Sequence, residues 1–346
     1  MKILILTQAV DTQDPVLGFF HRWIEEYAVQ AEQVTVICLR EGTHAFPDNV
    51  RVFSLGKEKD VSRIGYVCNF FKYIFRERQQ YDVVFVHMNQ VYVLLGGIFW
   101  RLWGKKIGLW YAHGHVPISL RFATLLTHHI LTSTESGFRL STKKKHVVGQ
   151  GIDASVFLCE GRDVSETLRL IYVGRISPIK DIKTLLRAYG VLQKEGKQLS
   201  LTLVGGTTLD IEKAYKKELE EYIEAEGLRG VTFAGAIPND ALPTHLCEAD
   251  VFINPSHTGS LDKTGLEAMS AGLVLLTCNE AYEAVLGEHR DTLMFKKGDE
   301  EDLITHLRPF FSVERRAEMG SKLRDIVVQE HSIRGLVAKI STILTS

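Results

Sequence analysis

Short runs that are apolar throughout, with no inside–outside alternation, constrain this chain more than any other feature. Most of the segments 3–6, 34–39, 50–53, 83–86 and 107–111 are such runs. They read as strands whose two faces are both covered, which is how strands of a parallel sheet look when helices pack on either side. Helical patterns lie between them: Phe20, Trp23, Ile24 and Tyr27 share one face over residues 19–31, and Gly18 opens that helix. A second series starts near residue 170, with strands at 170–173, 199–204, 231–233, 251–253 and 273–277. The sequence therefore predicts an α/β protein with two Rossmann-like domains built on parallel sheets. The 346 residues suit two domains better than one. Composition shifts near residue 160, so the expected division is 1–160, 161–328, and a last helix over 329–346 that packs back on the first domain.

Residues 254–277, NPSHTGSLDKTGLEAMSAGLVLLT, read as the end of a strand, a Gly/Ser loop and a helix from Lys263 onward. The amides of Gly259, Ser260 and Leu261 would then stand at the positive end of that helix and receive a phosphate. Glu267 follows a little over one turn inside, within reach of a sugar hydroxyl. Asp262 is either a carboxylate for the ligand or the N-cap of the helix. Arg175 and Lys180 flank the loop after the 170–173 strand, beside Gly174, and two cations there can neutralise a diphosphate. His113 closes the fifth strand, where open α/β sheets bind ligands, and Gly114 lets a ligand approach.

Several classes are disfavoured. The first loop, TQAVDTQDPVLG, lacks the GxGxxG of nicotinamide enzymes. A formal charge of -1 argues against nucleic-acid binding. The five cysteines are scattered, odd in number and never CxxC, so thiols in a reducing cytosol are expected, with neither a disulfide framework nor a zinc site. Residues 91–103 are apolar but interrupted by Arg101 and shorter than the roughly 20 residues needed to cross a bilayer. Residues 64–75, and the mixture of Trp100, Arg101, Trp103, Lys105 and Lys106, read either as an amphipathic helix with aromatic residues in the core or as a surface that sits on anionic lipid. Lys143, Lys144 and Lys145 read as a solvated turn, and the charged helix over 211–226 as a solvent-facing cover.

Taken in order, VGQGID, YVGRISPIKDIKTLLRAY, TLVGG and TGLEAMSAGLVLLT resemble the retaining, metal-independent glycosyltransferases of the GT-B fold, specifically the large family four, the group 1 transferases. The resemblance covers nearly the whole chain. It implies that Arg175 and Lys180 bind the donor diphosphate, that Glu267 binds the nucleotide ribose, and that His113 borders the donor sugar, with Gly18 leaving room for phosphate or acceptor. Gly174, Gly259, Ser260, Leu261, Asp262 and Lys263 complete the implied binding set. It further implies a nucleoside-diphosphate sugar as donor, UDP before GDP, a glycan or lipid-linked acceptor in cell-surface polysaccharide or glycolipid synthesis, no cofactor and no metal. Family members usually carry two glutamates eight positions apart; the first position here is Gly259, so either Asp262 substitutes its carboxylate or it caps the helix from Lys263. The alternatives are a sugar-nucleotide epimerase or hydrolase of the same fold, and a two-lobed ligand-binding protein, for which no export signal is read.

Overall fold

The computed structural model describes residues 1–14, 16–159 and 165–346. It contains two compact units, Met1–Gly151 with Ile333–Ser346, and Ile152–Ser332. The expected boundary at residue 160 lies outside the described residues, and the chain passes between units at 151/152 and 332/333.

The first unit holds β1 (Lys2–Val10), β2 (Gln33–Glu41), β3 (Val50–Ser54), β4 (Val83–His87), β5 (Lys106–Trp110), β6 (His129–Thr132) and β7 (Lys145–Val147). They form one sheet in the order β3-β2-β1-β4-β5-β6-β7, parallel throughout. Its helices are α1 (Phe20–Gln30), α2 (Arg63–Arg76), α3 (Val91–Leu102) and α4 (Ile118–Leu126). Ile3 and Ile5 face Phe20, Trp23 and Tyr27 on one side of the sheet, while Leu4 and Leu6 face Phe70, Ile74 and Trp100 on the other. Burial on both faces is what removed alternation from the sequence.

The last helix of the chain completes the first layer. Gly108 in β5 admits it: a Cβ there would lie 2.3 Å from Leu344 Cδ2. Among the aromatic side chains of α2, Phe75 packs against Phe99 and Trp103 at 5.1 and 5.0 Å while remaining 39% exposed, and Tyr73 stacks on Phe53 of β3 at 5.1 Å. The Lys143–Lys145 run is not a free turn. Lys145 opens β7, and Lys144 Nζ donates to the carbonyls of Thr124 and Thr127 at 2.8 and 2.7 Å, satisfying the orphan acceptors at the end of α4.

The second unit holds β8 (Leu168–Val173), β9 (Leu199–Val204), β10 (Val231–Gly235), β11 (Val251–Asn254) and β12 (Val274–Thr277), in the order β10-β9-β8-β11-β12, again all parallel. Its helices are α5 (Ile182–Lys194), α6 (Asp210–Ala225), α7 (Leu242–Cys247), α8 (Lys263–Ser270), α9 (Glu283–Leu286), α10 (Arg290–Leu293), α11 (Glu300–Leu307) and α12 (Val313–Glu330); α13 (Ile333–Thr345) returns to the first unit. Both sheets reverse strand order beside their first strand, the point where open α/β sheets take ligands.

Two expectations are corrected here. Cys159 and Cys247 form a disulfide with Cα atoms 5.3 Å apart, leaving Cys38, Cys68 and Cys278 as thiols. Their sequence separation of 88 hid a neighbourhood that only folding creates. And α6 is more than a cover, because Glu212, Tyr215 and Leu219 are buried beneath its charged face.

Candidate active site

The loops after β8, β11 and β12 meet at the carboxyl edge of the second sheet. Gly174 and Arg175 follow β8, and the main chain keeps its pairing there: Gly174 N donates to Val204 O at 2.9 Å and Ile176 N to Gly206 O at 3.0 Å. Gly205 permits this approach, since a Cβ on it would lie 1.8 Å from Gly174 O.

Lys180 is the centre of the polar cluster. Its Nζ donates to both carboxylate oxygens of Asp262 and to Ser256 Oγ, each at 3.1 Å, and its side chain is only 12% exposed. Asp262 occupies the N-cap position of α8 but makes no side-chain cap there; its carboxylate serves Lys180 instead. That answers the choice the sequence left open between cap and ligand, with a third role.

The loop between β11 and α8 is tied by its own polar groups and by Asn279, which follows β12. Ser256 N donates to Asn254 Oδ1 at 3.2 Å, the hydroxyls of Ser256 and Thr258 are 3.0 Å apart, and Asn279 Nδ2 donates to Ser260 O at 2.7 Å. Gly259 takes φ +67°, a left-handed conformation that favours glycine. Among the described residues, the amides of Ser260 and Leu261 have no acceptor. They are donors in want of a partner just before the start of an eight-residue helix.

Glu267 is 2% exposed, and its Oε1 lies 2.7 Å from Lys263 Nζ without hydrogen-bond geometry. Thr264 Oγ1 donates to Val173 O at 3.4 Å, fixing this turn of α8 against the end of β8. Lys180, Asp262, Lys263 and Glu267 are thus brought to one edge. Arg175 is on the same edge but turned: its guanidinium meets Glu212 Oε1 at 3.1 Å and remains 62% exposed. The amides of Thr208 and Leu209 donate to the other Glu212 oxygen at 2.7 and 3.1 Å and hold this carboxyl below the ordinary glutamate range.

Sequence reasoning missed Glu212 and Glu280. Glu280 follows β12, pairs with Lys297 and is held below the usual carboxyl range by that hydrogen bond. A Cβ on Gly259 would lie 3.1 Å from Glu280 Oε1. The half-exposed carboxylate therefore stands in the space a side chain at 259 would enter.

In the first unit, His113 lies just past β5 and is exposed; its Nδ1 accepts from His115 N at 3.0 Å and its N–H donates to Gly137 O at 2.8 Å. At Gly18 a Cβ would meet Asp14 O at 2.7 Å and Thr12 O at 3.0 Å, so the carbonyls of its own loop already require glycine there.

Two parallel-sheet Rossmann-like units, the second with a cation and open amides at its strand ends, define the GT-B class of α/β protein. Residues 167–311 match the family model of the glycosyl transferases group 1. Among solved structures, Anabaena HepE in complex with UDP superposes with a TM-score of 0.79 at 19% identity, covering all of both chains, which speaks for the fold. Mannosylfructose-phosphate synthase of Agrobacterium fabrum is 26% identical over 187 residues, 50% of this chain and 41% of that protein. A GDP-mannose-dependent phosphatidylinositol monomannoside mannosyltransferase of Mycobacterium tuberculosis is 26% identical over 191 residues, 52% of this chain and 48% of that one. The matches thus span less than half of these curated relatives.

Proposed function

We propose that the chain is a retaining glycosyltransferase that moves a sugar from a nucleoside-diphosphate donor, UDP-linked before GDP-linked, to a glycan or lipid-linked acceptor in cell-surface polysaccharide or glycolipid synthesis at the inner face of a membrane. The observation that carries the reading is the cluster of Lys180, Arg175 and the unbonded amides of Ser260 and Leu261 at the carboxyl edge of the second sheet. Glycosyl transfer builds negative charge on a departing diphosphate, and preorganised donors lower that barrier without a nucleophile of the protein. Retention follows when the acceptor attacks from the face the diphosphate leaves, its proton passing to the leaving phosphate.

Within this reading Lys180 meets the diphosphate, and Glu267 takes the ribose once Lys263 gives way. Glu280 supplies the carboxylate for sugar hydroxyls in place of a side chain at 259, because both oxygens of Asp262 are engaged by Lys180. The name of HepE's complex, with UDP, supports UDP as first donor to try; that of the mycobacterial relative supports GDP as second.

A thermal-shift screen against UDP-, GDP- and ADP-sugars, followed by measurement of nucleotide release with and without candidate acceptors, tests the proposal. Release that does not depend on acceptor points to a hydrolase or epimerase of the same fold. Unchanged turnover in both Arg175→Ala and Glu267→Ala rejects the assignment of the site.

A further inference from the structure

The chain is nearly neutral, yet its charge is unevenly spread. Residues 83–134 contain no aspartate or glutamate, but do contain Arg101, Lys105, Lys106 and Arg121. That segment includes α3 and α4. The two helices run side by side and in the same direction: Gln90 Nε2 donates to Ser119 Oγ at 2.9 Å near their starts, and Arg101 Nη1 to Leu126 O at 3.0 Å near their ends. Gly97 lets them close on each other, since a Cβ there would lie 3.1 Å from Leu126 Cβ.

Each helix is apolar on two sides. Tyr92, Val93 and Trp100 of α3 and Leu120 and Ala123 of α4 face the sheet. On the outside, Ile98 and Leu102 of α3 are 58% and 77% exposed, and Ile118, Phe122 and Leu125 of α4 are 73%, 59% and 70% exposed. Their spacings of four and of four and three place each set on one stripe of its helix. The two stripes lie next to each other with Arg101 and Arg121 beside them. Single exposed apolar residues need no explanation, but a contiguous patch on parallel helices does.

We infer that the joint outer face of α3 and α4 docks on an anionic lipid bilayer, the leucine, isoleucine and phenylalanine side chains entering the acyl boundary while the basic residues meet headgroup phosphates. The commitment to lipid rests on charge complementarity: a surface of large aliphatic side chains rimmed by cations and lacking any carboxylate over 52 residues matches hydrocarbon beneath negative headgroups. It shares Arg101 with the mixture of Trp100, Arg101, Trp103, Lys105 and Lys106 considered from sequence, but its apolar part is the stripe of Ile98, Leu102, Ile118, Phe122 and Leu125. No helix among the described residues is long and apolar enough to cross a membrane, so the contact is peripheral. The inference deepens the membrane location proposed above, and vesicle binding tests it apart from the transfer reaction, since it requires neither donor nor acceptor.

Co-sedimentation of the full chain with vesicles of phosphatidylcholine alone, and with 30% phosphatidylglycerol, tests it. Binding to the anionic vesicles and at least tenfold weaker binding to the neutral ones is expected. Leu102→Gln with Phe122→Gln and Leu125→Gln, all at exposed positions, weakens binding to anionic vesicles more than tenfold. Arg101→Gln with Arg121→Gln weakens it by roughly twenty-five-fold, at about fivefold for each cation near the surface, and reduces its salt dependence. Circular dichroism and nucleotide binding, unchanged in both variants, separate this result from misfolding and from failure of the transferase reading. No vesicle binding, equal binding to both compositions, wild-type binding by both variants, or self-association through this face in place of lipid binding overturns the inference.

Discussion

Lys180 and Asp262 offer the sharpest test of the candidate site, because each partner predicts a different effect on ligand. The Lys180 ammonium makes three hydrogen bonds of 3.1 Å, two to Asp262 and one to Ser256, and the paired side chains are 12% and 20% exposed. Hydrogen bonds to charged groups are worth about 1.5–3 kcal/mol net, and partial exposure puts this pair at the lower end. Lys180→Met should therefore cost about 1.5–2 kcal/mol of folding stability, as it leaves Asp262 with Asn254 Nδ2 at 3.4 Å, and Asp262→Asn about 1–2 kcal/mol. Urea midpoints of the single and double variants should give a coupling of about 1–2 kcal/mol. Calorimetric titration with UDP then separates the roles. Lys180→Met should weaken UDP by about ten- to a hundredfold, at about 1.4 kcal/mol per tenfold. Asp262→Asn removes the counter-charge that holds the ammonium, so UDP should bind as well as before or up to about tenfold tighter. Coupling near zero, or Asp262→Asn weakening UDP as much as Lys180→Met does, refutes the reasoning.

Three further outcomes follow from the same coordinates. Glu280→Gln should raise the KM for the sugar nucleotide about tenfold or more, the loss of one hydrogen bond to a charged group, and leave the Kd for the bare nucleotide unchanged; equal weakening of both contradicts a role at the sugar. His87 is buried and stacked on Phe20 at 4.0 Å, and burial pushes its imidazole down to about 3, so the unfolded chain binds the extra proton: its contribution is complete above pH 6.5 and is lost as pH falls toward 3. Between pH 7 and 5 that amounts to about 2 kcal/mol of lost stability, which His87→Phe should largely abolish in pH-dependent urea melts; an unchanged pH slope contradicts it. Denatured, unreduced protein should titrate three thiols of five, and Cys159→Ser with Cys247→Ser should cost about 2–4 kcal/mol; five titratable thiols would remove the disulfide from the fold.

The elements that local composition decides were legible, and those that strand order decides were not. The central strands of both sheets, such as β1, β4, β11 and β12, announced themselves by apolar runs, and α8 by Gly259 and its helical spacing. Lys180 and Asp262 were singled out separately, but nothing in the sequence says that they bond to each other across 82 positions. Glu280 could not be found because its approach to Gly259 exists only once β12 is known to lie beside β11, which sets the loops after the two strands side by side. Glu212 was hidden by its neighbours: in a helix crowded with Lys and Glu, one buried carboxylate looks like the rest. The outer face of α3 escaped for the opposite reason. A helix apolar nearly all round gives periodicity no contrast from which to decide which stripe meets the sheet.

The two units show that strand order alone does not make an anion site. Both sheets reverse beside their first strand, so both offer a crevice at the carboxyl ends, between β1 and β4 and between β8 and β11. In the first unit the end of β4 is plugged. His87, with its imidazole neutral, stacks on Phe20 and stands 3.5 Å from Thr7 Oγ1, and the carbonyls of Asp14 and Thr12 crowd Gly18. In the second unit the corresponding end carries Lys180, the open amides of Ser260 and Leu261, and Gly205, whose missing side chain lets the main chain close up. The same topology is thus filled by a ring in one unit and by hydrogen-bond donors in the other. Side chains at the strand ends, more than the fold that positions them, distinguish the two crevices, and the diphosphate site proposed above rests on those of the second unit.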